Sequence, residues 1–511
     1  MRKQMLAGGL ILGLAAGILA SCGKNDNSTP TVLGKGSLIT FIGDSPAFNV
    51  LSLRTTVSGM TFRQQGTTNK VTVFPSSSST TSLVKVNFAS LRDLTTVLTI
   101  ASVPATTYDE VSLTLSGMQI VLYDPSKEPP VRTVTAKLSN SAPVIPLWPP
   151  LKVSKGELCA LRLDFDMARS IRLDPNGEVN GNVTPVLTAT SIDSTEGHGF
   201  GALEDLVGFI RAVMPYQIGT DFTGGFTMQL LSGTGPAVTI NLNDSTALYD
   251  IYQEGAPALN KVETGRMVEV DALVDQNGNL VAKTVEIEGQ AVYEDEILNF
   301  LGSVISVTKD AEGNVVQFTF YVREEEPDFG GGVVPLDSVV TVKLAPPCPI
   351  PPPTPVTPPS CTTFLFSSRP TNFASLPFGP TAVAPGQELI VHGKYTKTAS
   401  APTTVDADMI CLKLQTMQGS FSSLVQVGSD GKTGGFWFTP SLSLLQQAPV
   451  LILSNNETVF TNVFGLADLV PQATLLVKGL PFYQAQAGSI NGITVPAGTL
   501  VVTARQIHQL E

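Results

Sequence analysis

From residue 36 onward the chain alternates between apolar and polar residues, and this constrains its fold more than any other feature. Across residues 158–166, Leu161, Leu163 and Phe165 take one parity while Arg162, Asp164 and Asp166 take the other. Across residues 108–122, Val111, Leu113 and Leu115 repeat at the same spacing of two. Successive side chains leave opposite faces of a pleated strand, so a period of two marks a strand with one buried face. Composition closes off the alternatives. Charged residues are 14% of the 511, against roughly 25% in ordinary soluble domains. Long surface helices draw on Glu, Lys and Arg, whereas this chain is rich in Gly (45) and Pro (37). With 42% hydrophobic residues it can build real cores, which excludes wholesale disorder. The expected class is all-β, divided into several domains.

The first block, residues 34–193, contains about eight short strands separated by turn signals, the pattern of a β-sandwich. It opens on Gly36-Ser37-Leu38 and the turn Gly43-Asp44-Ser45-Pro46-Ala47. It continues through Val103-Pro104-Ala105-Thr106-Thr107-Tyr108 and Leu161-Arg162-Leu163-Asp164-Phe165-Asp166 to Val183-Thr184-Pro185. These segments resemble the bacterial domain-of-unknown-function family 4382. The resemblance implies a secreted or lipoprotein β domain and no particular activity.

After a Gly/Ser/Thr break at 194–201 the chain repeats itself. Val207-Gly208-Phe209-Ile210, Leu301-Gly302-Ser303-Val304-Ile305 and Gln418-Gly419-Ser420-Phe421 open three copies, at 202–290, 297–415 and 416–511. Gly265-Arg266-Met267-Val268 in the first copy matches Gly386-Gln387-Glu388-Leu389 in the second; the third ends on Gly498-Thr499-Leu500-Val501, and its middle strand pair does not align. The pattern resembles domain-of-unknown-function family 5666, small barrel-like modules of envelope proteins. Each copy is expected to close as a small antiparallel barrel or sandwich. The predicted architecture is an N-terminal β-sandwich followed by three small antiparallel β-barrel-like repeats, the second carrying a Pro-rich loop at 346–360.

The N-terminus carries Arg2 and Lys3, an apolar stretch over 5–18, and then Leu19-Ala20-Ser21-Cys22. This resembles the bacterial lipoprotein signal. It implies removal of residues 1–21, acylation of Cys22, and a membrane partner reached through the lipid. Residues 22–33 then form a polar tether, and Gly23 resembles the outer-membrane sorting pattern where a cell has two membranes. No apolar run of 18 residues follows, so no internal membrane-spanning helix is expected.

Lys and Arg number 31 against 43 Asp and Glu, a net charge of −12, with no basic cluster. A binder of phosphate backbones needs a basic face, so nucleic acid is not an expected partner. Asp275-Gln276-Asn277-Gly278-Asn279 with Glu286 mimics a calcium loop, but Leu280 stands where the sixth-position Gly belongs. The same chemistry recurs at Asp174-Pro175-Asn176-Gly177, Asp310-Ala311-Glu312-Gly313-Asn314 and Asp430-Gly431, as hairpin turns require. Asp164 and Asp166 share a strand face without an opposing partner, and Glu324-Glu325-Glu326-Pro327-Asp328 reads as a solvated acidic run. His198, His392 and His508 show no ligand spacing, and neither a nucleophile elbow nor a phosphate loop is present. No catalytic residue, metal or cofactor is therefore assigned.

Two further features are legible. Cys348 and Cys361 bracket the Pro-rich loop, and the runs 339–344 and 362–366 beside them read as antiparallel strands that bring the two together as a disulfide. Cys159 and Cys411 lie mid-strand among apolar residues, outside the bridge and buried. In Gly434-Gly435-Phe436-Trp437-Phe438 the two Phe share a face, which leaves Trp437 outward as the candidate ligand contact. The expectation is a non-enzymatic, lipid-anchored cell-envelope protein: tandem modules forming an extended rod for adhesion, ligand display or envelope scaffolding. Its partner would be an envelope polysaccharide or protein. The alternatives are a carbohydrate-binding surface protein and a secreted glycan hydrolase using carboxylates that the sequence does not reveal.

Overall fold

The computed structural model describes residues 35–45, 49–75, 83–90, 95–173, 179–192, 202–215, 221–230, 237–250, 262–275, 279–287, 297–325, 337–348, 361–366, 376, 378–398, 401–441 and 443–510. Apart from a four-residue helical turn, Met167–Ser170, and short 3-10 turns, the elements among them are strands. The fold is all-β, a sandwich followed by three barrels.

In the sandwich, one sheet runs Leu187–Ile192, Leu158–Asp166, Lys35–Ser45, Thr95–Pro104. Its two central strands are parallel, Ser37 beside Leu158 through Ser45 beside Asp166. The second sheet centres on two long strands, Val50–Gln64 and Thr107–Tyr123, with Val144–Lys152 paired to the latter. The alternation of residues 158–166 decides which side faces in. Leu161, Leu163 and Phe165 enter the core with Phe62, Leu113 and Ile120, and Phe88 stacks on Phe165 at 4.2 Å. Each such side chain contributes about 1.5–3 kcal/mol of burial.

All three barrels share one connectivity. In the first, Ala202–Met214, Gly224–Leu230 and Val238–Leu242 form an antiparallel meander. Met267–Val274 pairs with the first of these, and Leu280–Ile287 with Met267–Val274. Leu280–Ile287 then closes the ring by pairing in parallel with Val238–Leu242 and, further along, with Ala247–Asp250. In the second barrel, Ile297–Lys309, Val315–Glu325, Val339–Leu344, Thr363–Phe366, Glu388–Thr398 and Ala401–Leu412 repeat this order. In the third, Gln415–Val427, Gly434–Pro440, Val450–Ser454, Val459–Thr461, Thr474–Gln484 and Thr499–Gln509 do the same. The barrels are thus not purely antiparallel. The last strand of each comes in from the same end as the third, so the closing seam is parallel.

Two repeated positions explain the motif glycines. A Cβ on Gly208, Gly302 or Gly419 would lie 2.3, 1.9 or 2.2 Å from the carbonyl oxygen of Gln229, Tyr321 or Thr439 on the next strand. A ring this small brings its first two strands too close for any side chain there. The turn before the fifth strand needs positive φ, and Gly265 (87°) and Gly386 (88°) supply it. Their N–H groups donate to the carbonyls of Ile210 and Val304 at 2.8 Å each. In the third barrel Gln472 takes this place, with φ 66° and its N–H on Phe421 O at 3.0 Å. The sequence match built on Gly498 therefore fell on the closing strand, which is why the middle pair would not align.

The Cys348–Cys361 disulfide spans a sequence separation of 13 with its Cα atoms 4.9 Å apart. Its setting differs from the expected hairpin. Val339–Leu344 and Thr363–Phe366 do not pair with each other; both run parallel to Ala401–Leu412, one after the other along it. Beside the cysteines Pro347 and Thr362 form a parallel bridge, and Cys348 N–H donates to Thr362 O at 3.0 Å.

The modules do not form the extended rod of independent cores. Residues 34–511 make one compact unit. In Val450–Ser454 every residue is buried. Val450 and Ile452 face the third barrel's interior, while Leu451 and Leu453 join Leu480, Phe482 and Val501 in the cluster that contains the second barrel's core. Phe209 and Met267 of the first barrel meet Leu301, Ile390 and Cys411 of the second. Leu51 and Val121 of the sandwich meet Ile305, Tyr321 and Leu444. The outer faces of the strands are apolar enough to require covering, and neighbouring modules cover them.

Candidate functional site

Several buried or half-buried charged side chains gather where modules meet. Lys413 lies in the short link between Ala401–Leu412 and Gln415–Val427, and its Nζ donates to Glu269 Oε2 of the first barrel; both side chains are buried. Arg323 holds Glu388 by two bonds, at 2.7 and 3.0 Å, within the second barrel. Beside them Arg54 of the sandwich reaches Asp337 Oδ1 and Oδ2 at 3.1 and 3.0 Å and also donates to Arg323 O. Tyr321 donates its hydroxyl to the same Asp337 at 2.5 Å. Burial, and then the Asp337 carboxylate, push the Tyr321 hydroxyl well above its ordinary pKa. Arg505 of the third barrel donates to Asp271 of the first at 2.8 Å, and Thr284 donates to the same oxygen at 3.0 Å.

Chemically these groups are spoken for. Asp337 accepts from a guanidinium and a phenol, Glu388 is clamped in both oxygens, and Glu269 faces an ammonium. Taking such pairs out of water costs several kcal/mol per ion, which the geometry offsets only while both partners stay in place. The arrangement suits fixing the register of one module on another.

The residues singled out from sequence lie apart. Cys22 and His198 fall outside the described residues, as do Asp174-Pro175-Asn176-Gly177 and Glu326 to Asp328. Asp164 is paired with Arg162 at 2.8 Å, and Asp166 caps the helical turn by accepting from Arg169 N–H at 2.8 Å. In the turns, Asn279 donates through N–H and Nδ2 to the two oxygens of Asp275, each at 2.8 Å. Asn314 does the same to Asp310, at 2.8 and 3.1 Å. Asp430 accepts from Thr433 N–H and hydroxyl at 2.8 and 2.6 Å. These bonds hold the Asp310 and Asp430 carboxyls below their usual range. His392 contacts Asp408 across the register shift in its strand, and His508 contacts Asn462 at 3.3 Å. Among the described residues no three His, Cys, Asp or Glu gather as a metal-binding group. Cys411 is buried, whereas Cys159 is half-buried, its thiol pushed up by burial to about 11.

Trp437 is less open than the sequence suggests. Phe436 and Phe438 do face the third barrel's core, and Trp437 does take the other face. That face is the one covered at the second barrel, and Trp437 is half-buried against the shared cluster, paired in register with buried Leu451. The exposed indole is Trp148, on Val144–Lys152, at 88% exposure. Sequence reasoning passed over it; the available signal was Pro146, Pro149 and Pro150 around a large apolar residue. A small apolar pocket sits where the second and third barrels meet, lined by Val307, Val383, Pro385, Leu445 and Leu500, with Lys309 Nζ 4.5 Å from the centre of the Tyr483 ring.

Residues 35–182 match the family model described as Domain of unknown function (DUF4382), which covers most of the sandwich. No curated protein and no solved structure matches the chain.

Proposed function

We propose that the chain is a non-enzymatic lipoprotein of the cell envelope, held by an acylated Cys22 and acting as a rigid scaffold or display platform. The observation that carries this reading is where the buried charge goes. Lys413–Glu269, Arg54–Asp337–Tyr321 and Arg505–Asp271 link separate modules instead of lining a cleft open to substrate. A hydrolytic site needs convergent polar groups in a concave pocket. Asp164 and Asp166, the sequence's carboxylate pair, are instead engaged locally with Arg162 and the Arg169 N–H. The likeness of the three repeats to domain-of-unknown-function family 5666, and the lipobox-like Leu19-Ala20-Ser21-Cys22, support an envelope setting. Trp437, on which the carbohydrate-binding alternative rests, is half-buried against the neighbouring barrel.

The test has two arms. Fatty-acid labelling of the full chain in a bacterial host is expected, and Cys22→Ser is expected to abolish it; unchanged labelling ends the lipoprotein reading. A broad panel of sugars, esters and peptides is expected to show no turnover. Turnover lost on Asp164→Asn or Asp166→Asn would install the enzyme reading in its place.

A further inference from the structure

We infer that the Trp148 corner of the sandwich is a docking face for an anionic lipid bilayer. Three observations meet there. First, Val144–Lys152 pairs on one side with Thr107–Tyr123 and turns Val144, Pro146, Trp148 and Lys152 to solvent, Trp148 at 88% and Val144 at 52% exposure. An indole combines an apolar body with a polar N–H, which is why tryptophan concentrates at the headgroup level of membranes.

Second, charge at this corner runs against the charge of the whole. The chain carries −12, yet Lys35, Lys152 and Lys155 are exposed together here. Lys152 stands opposite Thr107, Lys35 opposite Pro104, and Gly156 N–H donates to Lys35 O at 2.9 Å, which fixes the three lysines at one end of the sandwich. The acids nearby are Glu157, which is exposed, and Asp109 and Glu110, which Arg63 holds at 2.9 Å each. The corner is left with a positive excess, suited to an anionic headgroup surface.

Third, Lys35 of this corner lies only 13 residues after Cys22 in the sequence (35 − 22). Thirteen residues can span at most roughly 45 Å. This part of the argument rests on Cys22 being the lipid anchor. An acylated Cys22 keeps the Trp148 corner near the bilayer at high effective concentration, so a face that is weak from solution suffices when tethered.

The test uses residues 22–511 carrying Cys22→Ser, which contain the whole compact unit and no acyl chain. They are mixed with vesicles of one part phosphatidylglycerol to three parts phosphatidylcholine, and with phosphatidylcholine alone. The protein is expected to co-sediment with the anionic vesicles only, with its tryptophan emission shifted to the blue and quenched by brominated acyl chains. Trp148→Phe leaves Trp437 as reporter and is expected to remove both optical signals. Lys152→Gln with Lys155→Gln is expected to weaken sedimentation roughly tenfold. Absence of vesicle binding, binding indifferent to Trp148→Ala, or quenching of Trp148 by soluble glycans without a vesicle response would each overturn the inference. Acyl labelling of Cys22 in the full chain is read separately. A labelled Cys22 with an unresponsive Trp148 sinks the docking face alone, and a responsive Trp148 with an unlabelled Cys22 sinks the anchor alone.

Discussion

Gly302 has a carbonyl oxygen where its side chain would begin, 1.9 Å from an ideal Cβ. Gly302→Ala is expected to cost about 3 kcal/mol, because backbone cannot step aside as a flexible side chain can. Gly313→Ala offers the contrast: φ is 86° but nothing lies within 4 Å, so only the left-handed backbone is penalised, by about 1 kcal/mol. Urea unfolding of the two variants should separate them clearly. Tyr321 makes a prediction in pH. Its folded pKa is raised, so the unfolded chain releases that proton first, near pH 10. Stability from this group is full below that pH and falls as pH climbs toward the folded value. Tyr321→Phe should flatten that part of the alkaline stability profile, measured by thermal unfolding from pH 8 to 11. The Gly-containing openings of the repeats were visible in the sequence. Their cause was not, since it lies in how closely two strands cross in a small ring.

At the level of elements, the turn before the fifth strand carries Gln472 where its two counterparts carry glycine. Gln472→Gly should stabilise the protein by roughly 0.5–1 kcal/mol, the relief of positive φ less the entropy glycine adds to the unfolded chain. A raised midpoint in urea with an unchanged slope would confirm it. Beside the Pro-rich loop, alkylation in denaturant without reductant should label two cysteines, Cys159 and Cys411, among the four in residues 31–511; four labels would refute the Cys348–Cys361 bridge. Strands were legible wherever one face was wet, as in residues 158–166. Alternation was silent where both faces were buried. Val450-Leu451-Ile452-Leu453 is a continuous apolar run, the mark of a strand covered on two sides. Periodicity put Trp437 on the correct face, yet it says nothing about which neighbour covers that face.

Across the whole molecule, stability belongs to the junctions as much as to the barrels. Lys413→Met leaves Glu269 buried opposite an apolar side chain and should cost about 3 kcal/mol, while Lys413→Met with Glu269→Leu should recover most of that loss. A double-mutant cycle in urea checks it; equal losses in single and double variants would remove the ion pair from the account. The class and the number of modules could be read from alternation and repeats. The packing of one module on another could not, because outward apolar residues such as Leu451, Phe482 and Met267 look the same in sequence whether they face a partner module or their own interior.

The parallel seam also bears on the order in which the protein can be made. In every barrel the strand that closes the ring is the last of its six to be synthesised, so no barrel can seal until its final residues have emerged. The second barrel waits longer still, since Leu451, Leu480, Phe482 and Val501, which share its hydrophobic cluster, come 39 to 89 residues after its own last strand ends at Leu412 (451 − 412 and 501 − 412). During that interval an apolar surface stands ready and uncovered, the circumstance in which nascent chains associate wrongly. A cell making this protein has reason to keep it chaperoned until the C-terminal barrel arrives.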